Sequence, residues 1–336
     1  MNRFEYSRAS SVEEAIDMMN SKASDAIIKK NRTPFVVKAG GTDLMDLIKE
    51  GIVEPGRVID LRRIPGLDKI TYQEKEGLQF GAMVTIAGLA EDEGVMKKYR
   101  AVHEAAAHTA TPQIRNMGTM GGNLMQRPRC WYFRSMEHHC RKKGGNICFA
   151  QVGQNQFHGI FDTAVCPCVH PSSIATALVA FDGKVELTGP KGKRVLPLAE
   201  FFVASEQDVT CENTAGSQEV ITNILLPPVD ENTRSAYVKH GQRESYDWSI
   251  ADVAVVLKMK GKRCEDARII LGAASSVPYR VTEAENVLKG KKITEKLAMQ
   301  AGEAAVAKAT PLQYNRYKVQ LFKTLVKRTV LDAAMT

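Results

Sequence analysis

VVKAGGTDLMDLIK, residues 36–49, is the stretch on which the fold turns. Val36 and Val37 continue a short apolar run that starts at Pro34-Phe35. Gly40-Gly41-Thr42-Asp43 interrupts it, and Leu44, Leu47 and Ile48 then recur at helical spacing, giving strand, glycine turn, helix. A diphosphate needs backbone N–H groups close to it, and glycine lets the main chain approach with no side chain in the way. Placed ahead of a helix, the pair offers such a nest. Taken alone, one Gly-Gly reads as a tight turn. Neither GxGxxG nor GxxxxGKS/T occurs, which disfavours both common nucleotide-binding turns.

A second glycine segment, RNMGTMGGN at 115–123, changes the balance, because Thr119, Gly121, Gly122 and Asn123 offer a second set of groups to the same diphosphate. Around these segments the chain reads as a helix over 11–20, with Ser11 as N-cap and Glu14 at capping-box spacing. Strands follow at 57–61 and 78–80, then helices at 86–91 and 101–109. Beyond a cysteine-rich region come a helix over 170–181 and strands at 184–188 and 219–226. Pro227-Pro228 and the polar 230–234 mark a domain boundary. Strands at 235–240, 251–259 and 264–272 and alanine-rich helices from 281 onward then predict a small antiparallel sheet backed by helices.

With 336 residues, 44% of them hydrophobic, the chain can bury the cores of two or three domains. Its formal charge of +8 comes from Lys and Arg interspersed with Asp and Glu, without a basic stripe, so nucleic acid is not expected as a partner. No apolar run approaches the roughly 20 residues of a membrane span. Acidic residues at 13–17 stand where a secretory signal would be apolar, so the expected location is cytoplasmic, with export inside a complex still open.

VVKAGGTDLMDLIK together with QIRNMGTMGGNL resembles the paired FAD-binding segments of flavoprotein subunits in the xanthine dehydrogenase and carbon monoxide dehydrogenase family. The likeness continues through VITNILLPP and SAYVKHGQRESYDWSIADVAVVL over essentially the whole chain. It implies an α+β fold: a two-subdomain FAD-binding domain of the vanillyl-alcohol-oxidase type over 1–228, with subdomains at about 1–57 and 58–228, then a C-terminal flavoprotein domain over 229–336. Carried over by position, Val37, Lys38, Ala39, Gly40, Gly41, Thr42, Asp43 and Leu44, with Thr119, Met120, Gly121, Gly122 and Asn123, would hold the diphosphate and ribityl chain of FAD. Thr109, Ser173 and Ile221 would lie along the cofactor, and Lys239 beside its isoalloxazine, where a cation stabilises the reduced anion. The family usually has aspartate at Ser173, where a hydroxyl is the weaker partner.

Five of the seven cysteines fall in one short region, spaced Cys130-x9-Cys140-x7-Cys148-x17-Cys166-Pro167-Cys168. In a large chain this grouping reads as a metal or redox site, and the absence of paired CxxC knuckles argues against an ordinary zinc site. Thiolates are the ligands iron–sulfur clusters require. The region, about 126–169, resembles the insertion that binds a [4Fe-4S] cluster in the flavin subunits of periplasmic aldehyde oxidoreductase and 4-hydroxybenzoyl-CoA reductase. That resemblance implies Cys130, Cys140, Cys148 and Cys166 as ligands, with Cys168 spare. Arg127, Arg129, Arg134, Arg141, Lys142 and Lys143 read either as charge compensation for the cluster or as a solvated loop face. His138, His139 and His170 are zinc ligands in the alternative, and surface or capping residues otherwise.

The resemblance implies an oxidoreductase subunit with no catalytic residue for the substrate itself. A large molybdenum-cofactor subunit would oxidise an aldehyde or an N-heterocyclic or aromatic compound, and a small subunit would relay electrons through two [2Fe-2S] clusters in a heterotrimer. This chain would pass them from FAD to NAD, a quinone, oxygen or a ferredoxin. The rival reading reverses the flow, with electrons entering at the [4Fe-4S] cluster. A zinc-loop scaffold and a stand-alone flavin enzyme are the remaining alternatives.

Overall fold

A computed structural model describes residues 2–29, 33–244 and 246–335. The first layer is a parallel three-stranded sheet in which β3 (Arg57–Asp60) lies between β1 (Glu5–Arg8) and β2 (Phe35–Lys38). Ser11 caps the helix Val12–Met18 as expected, its hydroxyl accepting from the N–H of Glu14 at 3.1 Å. The reciprocal bond of a capping box is displaced by one residue, since the Glu14 carboxylate accepts from the N–H of Ser10 at 2.7 Å.

The second layer is an antiparallel five-stranded sheet ordered β4-β5-β8-β6-β7, made of β4 (Ile70–Gln73), β5 (Gly77–Gly81), β6 (Lys184–Gly189), β7 (Gly192–Pro197) and β8 (Val220–Leu226). Pro227-Pro228 follows β8, removes two backbone donors and ends the ladder.

The third sheet is ordered β12-β11-β10-β9, with β9 (Thr233–His240), β10 (Ala251–Lys260), β11 (Arg263–Gly272) and β12 (Tyr279–Arg280). Alternation along β10 shows what covers it. Val253, Val255 and Leu257 join one core with the helices Thr282–Leu288, Glu295–Ala305 and Tyr317–Met335, and Ala254 points the other way into a core shared with helices Arg100–Ala107 and Ser173–Ala180. The last sheet is therefore covered on both faces, and the chain has the α+β architecture that the pattern predicts.

Residues 126–169 are largely irregular, with two short 3-10 turns at Arg141–Lys143 and Phe149–Gln151. Downstream chain holds this region in place. The N–H groups of Ile160 and Phe161 donate to the carbonyl of Ala274, and that of His170 to Ser275. Fully buried Lys318 donates to the carbonyls of His158 at 2.8 Å and Ala273 at 2.7 Å.

Burial pulls the Lys318 ammonium down to about 7, from an ordinary value of 10.5. Below pH 7 both folded and unfolded chains carry the proton, and the folded state bears the whole desolvation cost. As the pH rises toward 10.5 the folded state sheds the proton first and that cost fades. In urea titrations from about pH 7 to about pH 10, the wild type should therefore gain stability relative to Lys318→Met. Parallel profiles would refute the assignment.

Candidate functional site

The two glycine segments meet backbone to backbone. A Cβ on Gly40 would stand 1.8 Å from the carbonyl oxygen of Met117, an overlap no side chain can relieve, so only glycine fits. Gly41 follows at φ +85°, in the left-handed region, and turns the chain from β2 into the helix Leu44–Lys49. Among the described residues, none of the backbone N–H groups of Gly40, Gly41, Thr42, Asp43 and Leu44 donates to a protein acceptor. Five consecutive donors are left for water or a ligand.

These donors lie where two clefts join. The first has a volume of about 140 Å³ and is lined by Val37, Lys38, Ala39, Gly40, Gly41, Thr42, Asp43 and Leu44, with Thr119, Gly121, Gly122 and Ile221 across from them. The second has a volume of about 450 Å³, shares Thr42, Asp43, Thr119, Gly122 and Gln126 with the first, and continues past Thr109, Asn123, Ser173 and Lys239. Together they form one long trough. Of the residues that the sequence singled out for a cofactor, Met120 alone lines neither cleft: its side chain is in the core and its N–H donates to Val84.

At the far end Lys239 donates to the carbonyl of His108 at 2.9 Å, and burial pulls its ammonium below the ordinary lysine range. The Thr109 hydroxyl is held by the carbonyl of Ala105 at 2.7 Å. At the other end Lys38 sits 3.3 Å from Asp60. Burial pushes the Asp60 carboxyl up, but hydrogen bonds from Arg62 and Tyr6 outweigh it and hold the group well below the usual range. Several lining residues carry no sequence signal: Lys22, fixed to the carbonyl of Ala215 at 2.6 Å, Gln126, and Trp248 in the turn between β9 and β10.

The five grouped cysteines converge. Cys166 lies within hydrogen-bonding reach of both Cys148 and Cys168. Cys130 is close enough to feel the charges of Cys168 and Cys140, and burial pushes its thiol up to about 12. Among the described residues no three His, Cys, Asp or Glu side chains close around one point as the ligands of a single metal ion do. His158, which nothing in the sequence marked, places Nε2 3.2 Å from Cys130 Sγ. His170, expected at the surface or as a cap, is buried against Phe202, and Ser172 caps the following helix instead. His138 packs on Phe149 and Tyr132.

Most of the basic residues around the cysteines are anchored to carboxylates and do not form a solvated loop face. Asp43 receives the N–H of Arg127 at 2.9 Å and the guanidinium groups of Arg129 at 2.8 Å and Arg134 at 2.7 Å. Deeper in, Arg127 and Lys142 both pair with buried Glu212, at 2.7 and 2.8 Å. Arg141 and Lys143 donate to the loop's own carbonyls.

Comparison with known proteins agrees with this geometry. Residues 2–229 match the model of the FAD binding domain in molybdopterin dehydrogenase, and residues 236–333 that of the CO dehydrogenase flavoprotein C-terminal domain. The chain is 31% identical over 316 residues to the aldehyde oxidoreductase FAD-binding subunit PaoB of Escherichia coli, covering 92% of this chain and 95% of that protein. It is 29% identical over 337 residues to the carbon monoxide dehydrogenase medium chain of Hydrogenophaga pseudoflava, covering 99% and 97%. A solved structure of carbon monoxide dehydrogenase from that organism superposes with a TM-score of 0.74 at 27% identity, covering 99% of this chain and 98% of the other.

Because Asp43 joins the glycine turn to the cysteine region through three donors, Asp43→Ala should lose about 2 kcal/mol in chemical denaturation. Asp46→Ala, whose half-exposed carboxylate lies at 3.2 and 3.4 Å from the same guanidiniums, should lose about 0.5 kcal/mol. Equal losses would show that Asp43 is no anchor.

Proposed function

The chain belongs to the family of FAD-binding subunits of molybdopterin dehydrogenases, and from that premise we propose that it holds FAD along the trough and carries electrons between molybdenum-linked partner subunits and an external acceptor. The observation that carries this reading is the row of five free N–H groups from Gly40 to Leu44 at the junction of the clefts. A diphosphate there would receive backbone hydrogen bonds without displacing any protein acceptor. The first cleft, largely apolar, suits one end of an extended dinucleotide, and the second brings Lys239 and Ser173 to the other. When bound, FAD accepts electrons in pairs and releases them singly or in pairs. Around it the chain would supply the diphosphate nest, a cation at Lys239 and the Ser173 hydroxyl.

The cysteine region would hold a [4Fe-4S] cluster through Cys130, Cys140, Cys148 and Cys166. Charge supports this. Arg127 and Lys142 share the single carboxylate of Glu212, leaving one excess positive charge buried beside Cys166 and Cys168. An unbalanced buried charge costs several kcal/mol. A cubane held by four thiolates is net negative and balances it.

Substrate oxidation would take place in a large molybdenum-cofactor subunit, and a small subunit with two [2Fe-2S] clusters would deliver the electrons. Names such as "FAD-binding subunit" and "medium chain" among the relatives support a multi-subunit enzyme. No helix among the described residues is long and apolar enough to cross a membrane.

Protein purified without oxygen should contain FAD, iron and sulfide, and Gly41→Val should lose FAD because valine cannot hold φ +85° without strain. Normal FAD content in that variant would refute the nest. Iron analysis of Cys166→Ser and Cys168→Ser tests the ligand set: the first should lose the cluster and the second keep it, and the opposite pattern would move the fourth ligand to Cys168.

A further inference from the structure

Asp252 is a charged residue inside a buried apolar run. In β10, Ala251, Val253, Ala254, Val255 and Leu257 are all buried, and Asp252 among them is 1% exposed. An ionised carboxylate so placed costs several kcal/mol unless its neighbours compensate it, and an apolar residue would fill the position without that cost. Neither the sheet nor the glycine nest requires it.

Its surroundings put it behind the Lys239 end of the trough. Asp252 pairs in register with Lys239 on β9, so the two side chains leave the sheet on the same face, and Tyr237, next but one to Lys239, shares that face. On the other side its register partner is Gly272 of β11, where a Cβ would stand 1.9 Å from Asp252 Oδ1 and 2.4 Å from Thr176 Oγ1. The missing side chain lets the carboxylate lean across β11 toward the helix Ser173–Ala180. Burial pushes the Asp252 carboxyl up, and the hydroxyls of Ser249 and Thr176, the Lys239 ammonium and the Tyr237 hydroxyl oppose it. Oδ1 accepts no hydrogen bond of ordinary geometry from the described residues, so these neighbours act through charge and dipole rather than as a closed structural network.

Lys239 depends on this carboxylate. Burial pulls its ammonium down, and Asp252 opposes that more strongly than Asp247 does. Fully buried Lys318, from the helix on the opposite face of the sheet, is the other cation that feels Asp252. The Tyr237 hydroxyl lies near both Asp252 and Ser173. Lys239, Ser173 and Ser249 all line the second cleft, whereas Asp252 does not. One carboxylate out of reach of any ligand therefore acts on three residues that a ligand would meet.

We propose that Asp252 is the positioning residue for the Lys239 end of the trough: its carboxylate holds Lys239 as a cation and, through its own charge, lowers the affinity of a flavin there for electrons. The flavin half of this statement rests on the reading in the previous subsection.

NMR of the reductively methylated chain reads the titration of Lys239, with Lys239→Arg identifying its signal. In Asp252→Asn the midpoint should fall by about 0.5 or more, because the attraction that opposes burial is gone. In the FAD-bearing chain at about pH 7, the flavin midpoint potential read by spectroelectrochemical titration should become more positive in the same variant, since a negative charge behind the flavin has been removed. An unmoved Lys239 midpoint, or a flavin potential that stays the same or becomes more negative, would overturn the proposal. Should Asp252→Asn fail to fold, Thr176→Val, which removes one of the hydroxyls that keep the carboxylate ionised, should move both readings the same way by a smaller amount, and no movement there overturns the proposal equally. A folded wild-type chain that retains no FAD sinks the reading of the previous subsection, and the NMR titration then decides alone whether Asp252 sets the charge of Lys239.

Discussion

The carboxylate of Asp43 is the constraint on which the site's geometry depends. It stands at the end of the glycine turn and takes one backbone and two guanidinium hydrogen bonds from residues 127–134. Its pairing fixes the direction in which the turn presents its free N–H groups and the point at which the cysteine region departs from the second glycine segment. Charge-assisted bonds of this kind are short and directional, so the two parts share one frame. The close approach of Gly40 to Met117 sets the spacing between the segments, and Asp43 sets their orientation.

Much of this architecture was legible in the sequence. All the interior strands, β3, β5, β6, β8, β10 and β11, show as apolar runs or alternations because they are packed on both sides. The strands that left no trace, β1, β4, β7 and β12, are all edge strands with mostly exposed side chains. An edge strand is held by its neighbour's ladder and needs no apolar pattern of its own. The glycine turns were legible because their backbone conformation and close approach leave no other residue possible.

The electrostatic organisation was not legible. Whether Arg134 or Lys142 compensates a ligand, faces water or pins a loop depends on carboxylates 70 to 91 residues away in sequence. His158 and Lys22 were silent for the same reason, since one gains its meaning from Cys130 and the other from the carbonyl of Ala215. Local pattern reports burial and turn chemistry, and pairing between distant charges leaves no local pattern.

The stitching of the cysteine region to the end of the chain has a consequence for biosynthesis. Asp162 and His158 take hydrogen bonds from residues 113 and 160 positions further on. At a translation rate of about 5–20 residues per second, the stretch carrying the thiols leaves the ribosome roughly ten to thirty seconds before Lys318 can fasten it. During that interval the segment lacks its tethers to Ser275 and Lys318. The bond from Lys318 to the His158 carbonyl therefore forms only after the helix Tyr317–Met335 has been made.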